Sequence, residues 1–292
     1  MGMKGDVYRF QIGHFQCMAI SDGTLTYAPP TFPPPAALLF ENAPKDALDA
    51  VGRSQNLQAQ DWREWTSTYT CLLINTGKEL VLVDTGAGQL APSTGRLVKN
   101  LGSQGISPED IDTVVLTHGH PDHVGGNTDT GGKLVFPAAR YFIAKTEWDF
   151  WMSGQAEARL DPHSRDMLVG IARRNLAPIE GRLERVDAGA EIVAGVRAIA
   201  APGHTPGQMA LAVSSAGQTL FCLSDVVLHP IHLEHPEWHA AVDVDAGQTE
   251  ATRRRLLDRA SIERSMVLAF HLLFPGLGHI LQQGPAWRWQ PL

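Results

Sequence analysis

Residues 116–128 read Leu-Thr-His-Gly-His-Pro-Asp-His-Val-Gly-Gly-Asn-Thr. Four side chains able to bind a metal stand within six positions of this stretch: His118, His120, Asp122 and His123. Such closely spaced side chains cannot all face one side of a helix or a strand. A tight loop around a metal ion suits them, since imidazole and carboxylate groups ligate Zn, Fe and Mn. The stretch therefore indicates a metal-binding loop rather than a polar, histidine-rich surface loop.

The composition is typical of a globular enzyme. The chain has 292 residues, of which 43 % are hydrophobic and 19 % charged, so it can bury a large core. We expect one domain over residues 1–292. The formal net charge of −7 argues against nucleic acid as a partner. The sequence has neither an apolar run of transmembrane length nor the apolar segment of a secretory signal, so we expect no membrane association and a cytoplasmic location.

Further potential ligands follow short apolar strand patterns. The cluster comes after Ile111–Leu116, and His204, Asp225 and His271 each stand within a few residues of the end of another apolar run. Loops at one edge of a sheet can bring such separated side chains together. Strands grouped into hairpins, with helical patterns between the groups, predict an α+β fold of two packed sheets covered by helices.

The ligand types add up to two metal sites that share a carboxylate. A pair of metal ions about 3.5–4 Å apart, bridged by a carboxylate and a water, is the usual two-metal arrangement of hydrolases. The predicted ligands are His118, His120 and His204 for one ion, Asp122, His123 and His271 for the other, and Asp225 as the bridge.

These motifs resemble the signature of the metallo-β-lactamase superfamily. The run Thr117–Gly126 is followed, in the order of that superfamily, by Gly203–Gly207, Ser224-Asp225 and a final His271, and the resemblance extends over about residues 7–285. It implies a four-layer αβ/βα sandwich and two divalent metal ions, Zn first, with Mn, Fe or Co as alternatives.

An earlier motif, Val83-Asp84-Thr85-Gly86, also resembles the superfamily. The resemblance implies that Asp84 orients a metal-binding histidine. The alternative is an aspartate that caps a turn.

Departures from the superfamily pattern narrow the range of expected activities. Asp225 stands where one class of β-lactamases has a cysteine ligand, and only 21 residues follow His271, fewer than the helical extension of the glyoxalase II group. The segments 224–238 and 271–280 resemble the branch that contains N-acyl-homoserine lactonases and methyl parathion hydrolase. Leu228 occupies the position of a substrate-contacting tyrosine in the better-known lactonases, which leaves the substrate open.

The predicted function is a dinuclear, metal-dependent hydrolase of an ester or lactone, with organophosphate triesters as further substrates. A metal-bridging hydroxide would attack a small-molecule substrate, and Asp122 would orient it or pass a proton to the leaving group. The alternatives are a thioester hydrolase, an iron-dependent oxidoreductase of the persulfide dioxygenase type, and a non-catalytic binding module. A homodimer follows from the resemblance alone.

The segment 28–44 contains six prolines, which argue against a regular helix or an inner strand. Such an apolar loop is either a lid over the site or a packed surface crossing. We expect specificity from side chains near the mouth of the site, each of which could also be ordinary core. These residues are Phe32, Leu38, Phe40, Trp148, Trp151, Leu228, His229, Leu273 and Phe274.

Overall fold

Two seven-stranded mixed β-sheets form the middle of the protein. The computed structural model describes residues 5–54 and 62–292. The first four residues, part of the segment examined for a secretory signal, lie outside this range. In both sheets the strands are ordered as in the chain. The first sheet contains β1 (Val7–Ile12), β2 (Phe15–Tyr27), β3 (Trp65–Asn75), β4 (Leu80–Val83), β5 (Thr113–Val115), β6 (Arg140–Ala144) and β7 (Leu183–Val186). The second contains β8 (Glu191–Val193), β9 (Val196–Ala200), β10 (Met209–Ser215), β11 (Gln218–Cys222), β12 (Met266–Leu268), β13 (Leu277–Gln283) and β14 (Ala286–Pro291).

Helices lie between the strands and on the outer faces of the sheets. Those in the described ranges are α1 (Pro35–Leu39), α2 (Lys45–Ser54), α3 (Leu97–Gly102), α4 (Pro121–Val124), α5 (Lys145–Met152), α6 (Gln155–Arg159), α7 (Arg165–Leu176), α8 (Ile231–Glu234) and α9 (Ala246–Glu263). Within the residues described, no helix is both long and apolar enough to cross a membrane.

The inner strands of the sheets bury both of their faces, as β4 illustrates. Because successive side chains of a strand point to opposite faces, Val81 and Val83 pack into the core between the two sheets, whereas Leu82 packs into the core on the outer side. Helices α5 and α7 cover that outer side, and α9 covers the outer face of the second sheet. The order helix, sheet, sheet, helix is the predicted four-layer α+β sandwich. The single domain over residues 1–292 stays a prediction.

The direction of the strands places the loops that carry the predicted metal ligands at common edges of the sheets. Strands β4 and β5 are parallel, as are β11 and β12, and β9 runs in the same direction as β11 because each is antiparallel to β10. Parallel strands end at the same edge of a sheet. The loops that follow β5, β9, β11 and β12 carry all the predicted metal ligands.

The proline-rich segment contains a helix, so the expectation that it would have none was wrong. Helix α1 begins at Pro35 with Pro34 as its N-cap. Proline is accepted at the first helical position because its missing N–H would have no partner there. Leu39 and Phe40 are buried against the segment that follows Asp225. The segment packs on the body of the protein, and its movement as a lid stays a prediction.

Candidate metal centre

The histidine-rich loop is held in place by Asp84, directly after β4. Asp84 has a left-handed backbone, with φ of 59°. Its carboxylate accepts hydrogen bonds from the Thr117 backbone N–H (2.8 Å) and hydroxyl (2.9 Å). The same carboxylate lies 2.8 Å from His123 Nδ1. Asp84 thus holds the start of the loop and lies within hydrogen-bond distance of one of its histidines.

Four of the predicted ligands form a first set, His118, His120, His204 and Asp225. His120 Nδ1 lies 3.1 Å from His118 Nε2 and 2.8 Å from His204 Nε2. Asp225 Oδ2 lies 3.3 Å from His204 Nε2. Their ligand atoms are all within 4.8 Å of one another, so loops after three different strands meet at one point.

The other three predicted ligands form a second set, Asp122, His123 and His271. Asp122 Oδ2 is 3.6 Å from His271 Nε2 and 3.9 Å from His123 Nε2. Asp225 reaches this set as well, with Oδ1 3.1 Å from His123 Nε2 and Oδ2 3.0 Å from His271 Nε2. The carboxylate of Asp225 therefore stands between the two sets.

The donor set fits two metal cations. Burial holds the pKa of His118 and His120 well below the usual histidine value, so both rings are neutral and offer a lone pair. His123 Nε2 and Asp225 Oδ1 are buried atoms without a hydrogen-bond partner in the described structure. His123 Nδ1 faces Asp84 and its Nε2 faces Asp225, and, against the effect of burial, these carboxylates raise the pKa of His123 well above the usual histidine value. A metal cation between Nε2 and the carboxylate would take the place of that ring proton and balance the buried negative charge.

Two further side chains face ligand histidines, and no motif in the sequence predicted them. His204 Nδ1 lies 2.8 Å from Asp243 Oδ1, and His271 Nδ1 lies 2.7 Å from Ser67 Oγ. Such outer partners fix which ring nitrogen faces the metal. They stand 39 and 204 positions away in the chain, and no local pattern in the sequence marks them.

A third missed residue, Glu147 on α5, joins the two loops that carry the histidines of the first set. Its Oε1 accepts from Gly119 N–H (2.8 Å) and Trp151 Nε1–H (2.6 Å). Its Oε2 accepts from the Thr205 hydroxyl (2.7 Å) and Gly207 N–H (3.0 Å). Burial raises the pKa of Glu147, and these hydrogen bonds act in the opposite direction. Because the same helix also carries Lys145 and Asp149, the sequence had no signal that sets Glu147 apart.

Several predicted pocket residues pack in a cluster that reaches this centre through Trp65, whose ring is 6.2 Å from that of His271. The Phe40 ring packs against His229 (5.6 Å between centroids) and Trp62 (5.9 Å), in a cluster that also buries Leu228. Leu38 is buried on the same helix as Leu39. Trp151 lies beneath the metal-binding loop, with its ring 5.5 Å from that of His120, so close that a Cβ at position 119 would collide with it.

Other predicted pocket residues have different surroundings. Trp148 is buried in the outer core of the first sheet, 4.6 Å beneath the Arg185 guanidinium. Leu273 is 85 % exposed, and Phe274 packs at the margin of the core between the sheets. Phe32 packs on Tyr27, with 4.6 Å between ring centroids. A role for these four in substrate binding stays a prediction.

A family-model match that covers most of the strands and helices described above identifies the family. Residues 66–271 match the family model of the metallo-β-lactamase superfamily, a span that contains every predicted ligand. The chain belongs to the metallo-β-lactamase superfamily. The resemblance seen in the sequence is therefore confirmed, and with it the sandwich fold.

Solved structures of this superfamily match nearly the whole chain. AidC, a dizinc quorum-quenching lactonase in complex with the product N-hexanoyl-L-homoserine, is 27 % identical with a TM-score of 0.89, over 98 % of this chain and 97 % of that one. The hydrolase AbOPH is 26 % identical with a TM-score of 0.87, over 100 % and 99 % of the two chains.

Curated metallo-β-lactamase relatives match over shorter lengths. The uncharacterized protein YobT of Bacillus subtilis (strain 168) is 29 % identical over 48 % of this chain and 54 % of its own length. An N-acyl homoserine lactonase of a Bacillus species is 27 % identical over 50 % of this chain and 58 % of its own. The chain thus spans somewhat more than half the length of the curated relatives it matches.

The hydrogen bond between Asp243 and His204 can be tested by a substitution. Its Oδ1 faces His204 and its Oδ2 accepts the Ala240 N–H (2.9 Å), so the NH₂ of an asparagine must oppose one of these donors. We expect Asp243→Asn to weaken metal binding about 10- to 100-fold. Titration of the metal-free protein with Zn²⁺ against a competing chelator measures this affinity.

The matched control for this prediction is Asp245→Asn. Asp245 caps α9 by accepting the Gln248 N–H, and asparagine is an equally good N-cap. Metal affinity should be unchanged in this variant. An Asp243→Asn protein that binds metal as tightly as Asp245→Asn would show that Asp243 does not act on His204.

Proposed function

We propose that this protein is a dinuclear, metal-dependent hydrolase of esters and lactones, with N-acyl homoserine lactones as its substrate class. The observation that carries the proposal is the pair of ligand sets joined by Asp225. The likeness to a dizinc lactonase over nearly its whole length supports the substrate class. Organophosphate triesters are proposed as a further activity of the same centre.

The seven predicted ligands would bind two metal ions. His118, His120 and His204 would hold one ion, Asp122, His123 and His271 the other, and Asp225 both. Two divalent ions, Zn first, supply Lewis acidity and hydroxide at neutral pH when bound. Asp122, at 8 %, is the most exposed of the seven predicted ligands. We assign to Asp122 the transfer of a proton to the leaving-group oxygen as the ester C–O bond breaks.

The aromatic cluster beside the centre would bind the apolar part of the substrate. Phe40, Trp62 and His229 pack edge to face and tilted at 5.3–5.9 Å. Burial lowers the pKa of His229 to about 4, so its ring is neutral at physiological pH and joins an uncharged wall. Such a wall suits an acyl chain.

Metal content and hydrolysis should be lost together in His118→Ala. The wild-type protein is expected to contain two divalent ions per chain by elemental analysis and to open N-hexanoyl-L-homoserine lactone. We expect chelation to abolish this activity and Zn²⁺ or Mn²⁺ to restore it. The control is His163→Ala, because the His163 side chain is 97 % exposed.

Three results would contradict the proposal. A wild-type protein with two ions that hydrolyses no lactone, aryl ester, thioester or phosphotriester would exclude the hydrolase. A single iron per chain with thiol-dependent oxygen uptake would favour the dioxygenase. A His118→Ala protein that keeps both ions and full activity would show that the site lies elsewhere.

A further inference from the structure

Two tyrosines form a hydroxyl pair beside the second ligand set. The hydroxyls of Tyr27 and Tyr69 are 2.8 Å apart. Tyr69, on β3, is fully buried with its ring 5.6 Å from that of His271. Tyr27, at the end of β2, stacks at 5.0 Å on Trp65, whose ring is 6.2 Å from His271. The pair is therefore packed against one of the predicted ligands.

The burial of the two rings decides which hydroxyl keeps a free proton. Two hydroxyls carry two donor hydrogens, and the bond between them uses one. Among the described residues neither hydroxyl has another hydrogen-bond partner. A buried donor without a partner costs about 1–3 kcal/mol. Tyr69 is enclosed, so it donates to Tyr27, and the remaining O–H belongs to Tyr27, which is only half-buried.

The pair lies beside the ligand set that contains Asp122. Its neighbour His271, which contacts the rings of Tyr69 and Trp65, has Nε2 3.6 Å from Asp122 Oδ2. A phenol is a protonated donor at neutral pH, so Tyr27 can donate a hydrogen bond to a group bound at this set. The group that Asp122 would protonate is bound there.

We propose that Tyr27 is a catalytic residue whose O–H donates a hydrogen bond to the leaving-group oxygen of the bound ester or lactone. This inference rests on the proposed hydrolase function. As the oxygen of a water molecule bonds to the acyl carbon and the C–O bond to the leaving group breaks, the leaving oxygen takes the electron pair. The proton given up by the water reaches it through Asp122, while Tyr27 keeps its own proton. Since Tyr69 and Trp65 already hold the phenol in place, the hydrogen bond needs no reorganisation during the reaction.

The test is a comparison of leaving groups in Tyr27→Phe. An alkoxide, released from N-hexanoyl-L-homoserine lactone, needs stabilisation, whereas the 4-nitrophenolate of 4-nitrophenyl acetate is already a stable anion. We expect kcat for the lactone to fall on the order of 100-fold, with a much smaller change in KM. The rate on the aryl ester should change little. Tyr69→Phe, which releases the Tyr27 hydroxyl from its partner, should show a smaller loss with the same preference.

Tyr141→Phe is the matched control, since the buried Tyr141 hydroxyl donates to the Phe136 carbonyl in the outer core. It should leave both rates unchanged, and metal content is measured in all variants. Equal losses of Tyr27→Phe on the two substrates, or no loss, would overturn the role of Tyr27 while leaving the hydrolase intact. A wild-type protein that hydrolyses neither compound contradicts the hydrolase and, with it, the role of Tyr27.

Discussion

Asp225→Asn will bind fewer than two metal ions per chain and will show no measurable lactone hydrolysis. The two oxygens of Asp225 lie 3.0–3.7 Å from nitrogens of four histidines, His118, His123, His204 and His271. Asparagine has the same shape but is neutral, and its NH₂ group offers no lone pair to a cation. The loss of metal affinity should exceed the roughly 10- to 100-fold loss that removal of an outer partner causes.

The control for this prediction is another buried aspartate away from the centre. Asp22 accepts hydrogen bonds from the backbone N–H groups of Ala87, Gly95 and Leu97. Asp22→Asn should therefore lower the melting temperature but keep both ions. Elemental analysis and thermal melts of the two variants separate loss of metal from loss of stability. Full occupancy of Asp225→Asn by two ions would refute the shared carboxylate.

Glu147→Gln will destabilise the fold and weaken the first metal site, although Glu147 is not one of its ligands. All four partners of Glu147 are donors, and a carboxylate accepts from all of them. The glutamine NH₂ must face either the Gly119 and Trp151 N–H groups or the Gly207 N–H and the Thr205 hydroxyl, which can turn to accept. One or two hydrogen bonds are therefore lost. Since a hydrogen bond to a charged group contributes about 1.5–3 kcal/mol, we expect the free energy of unfolding to fall on the order of 3 kcal/mol.

The loss of metal affinity follows because Glu147 ties the loop of Gly119 to the loop of Thr205 and Gly207. With those bonds gone, His120 and His204 are no longer held 2.8 Å apart. Chemical unfolding and Zn²⁺ competition measure the two effects. Asp149→Asn is the control, because Asp149 lies on the same helix and is only half-buried. If Glu147→Gln behaves like Asp149→Asn in both measurements, Glu147 does not organise the site.

The predicted metal ligands could be read from the sequence because metal chemistry uses few residue types. Imidazole and carboxylate groups in short, fixed spacings stand out without a structure, and each predicted ligand follows an apolar strand. The structure brings all seven together in two adjoining sets. The family and its sandwich fold were predicted from the same motifs.

The surroundings of the ligands could not be read in this way. A hydrogen-bond partner can be any polar side chain, and its distance along the chain carries no signal. Asp243, Ser67 and Glu147 look like ordinary surface or helix residues until the loops are folded against one another. Trp148 and Trp151 share one helical face by spacing, yet the structure records a ring contact with the centre for Trp151, whereas Trp148 packs beneath Arg185.

Local spacing and the period of the apolar residues were enough to predict the family, the sandwich and the candidate ligands. The folded chain was needed to find the side chains that orient the ligands, the helix that begins at Pro35 and the pairing of Tyr27 with Tyr69 beside His271. The physical reason is that burial and hydrogen bonding depend on contacts between distant strands. The histidine-rich loop supplies four of the seven predicted ligands, and the loops after β9, β11 and β12 supply the other three.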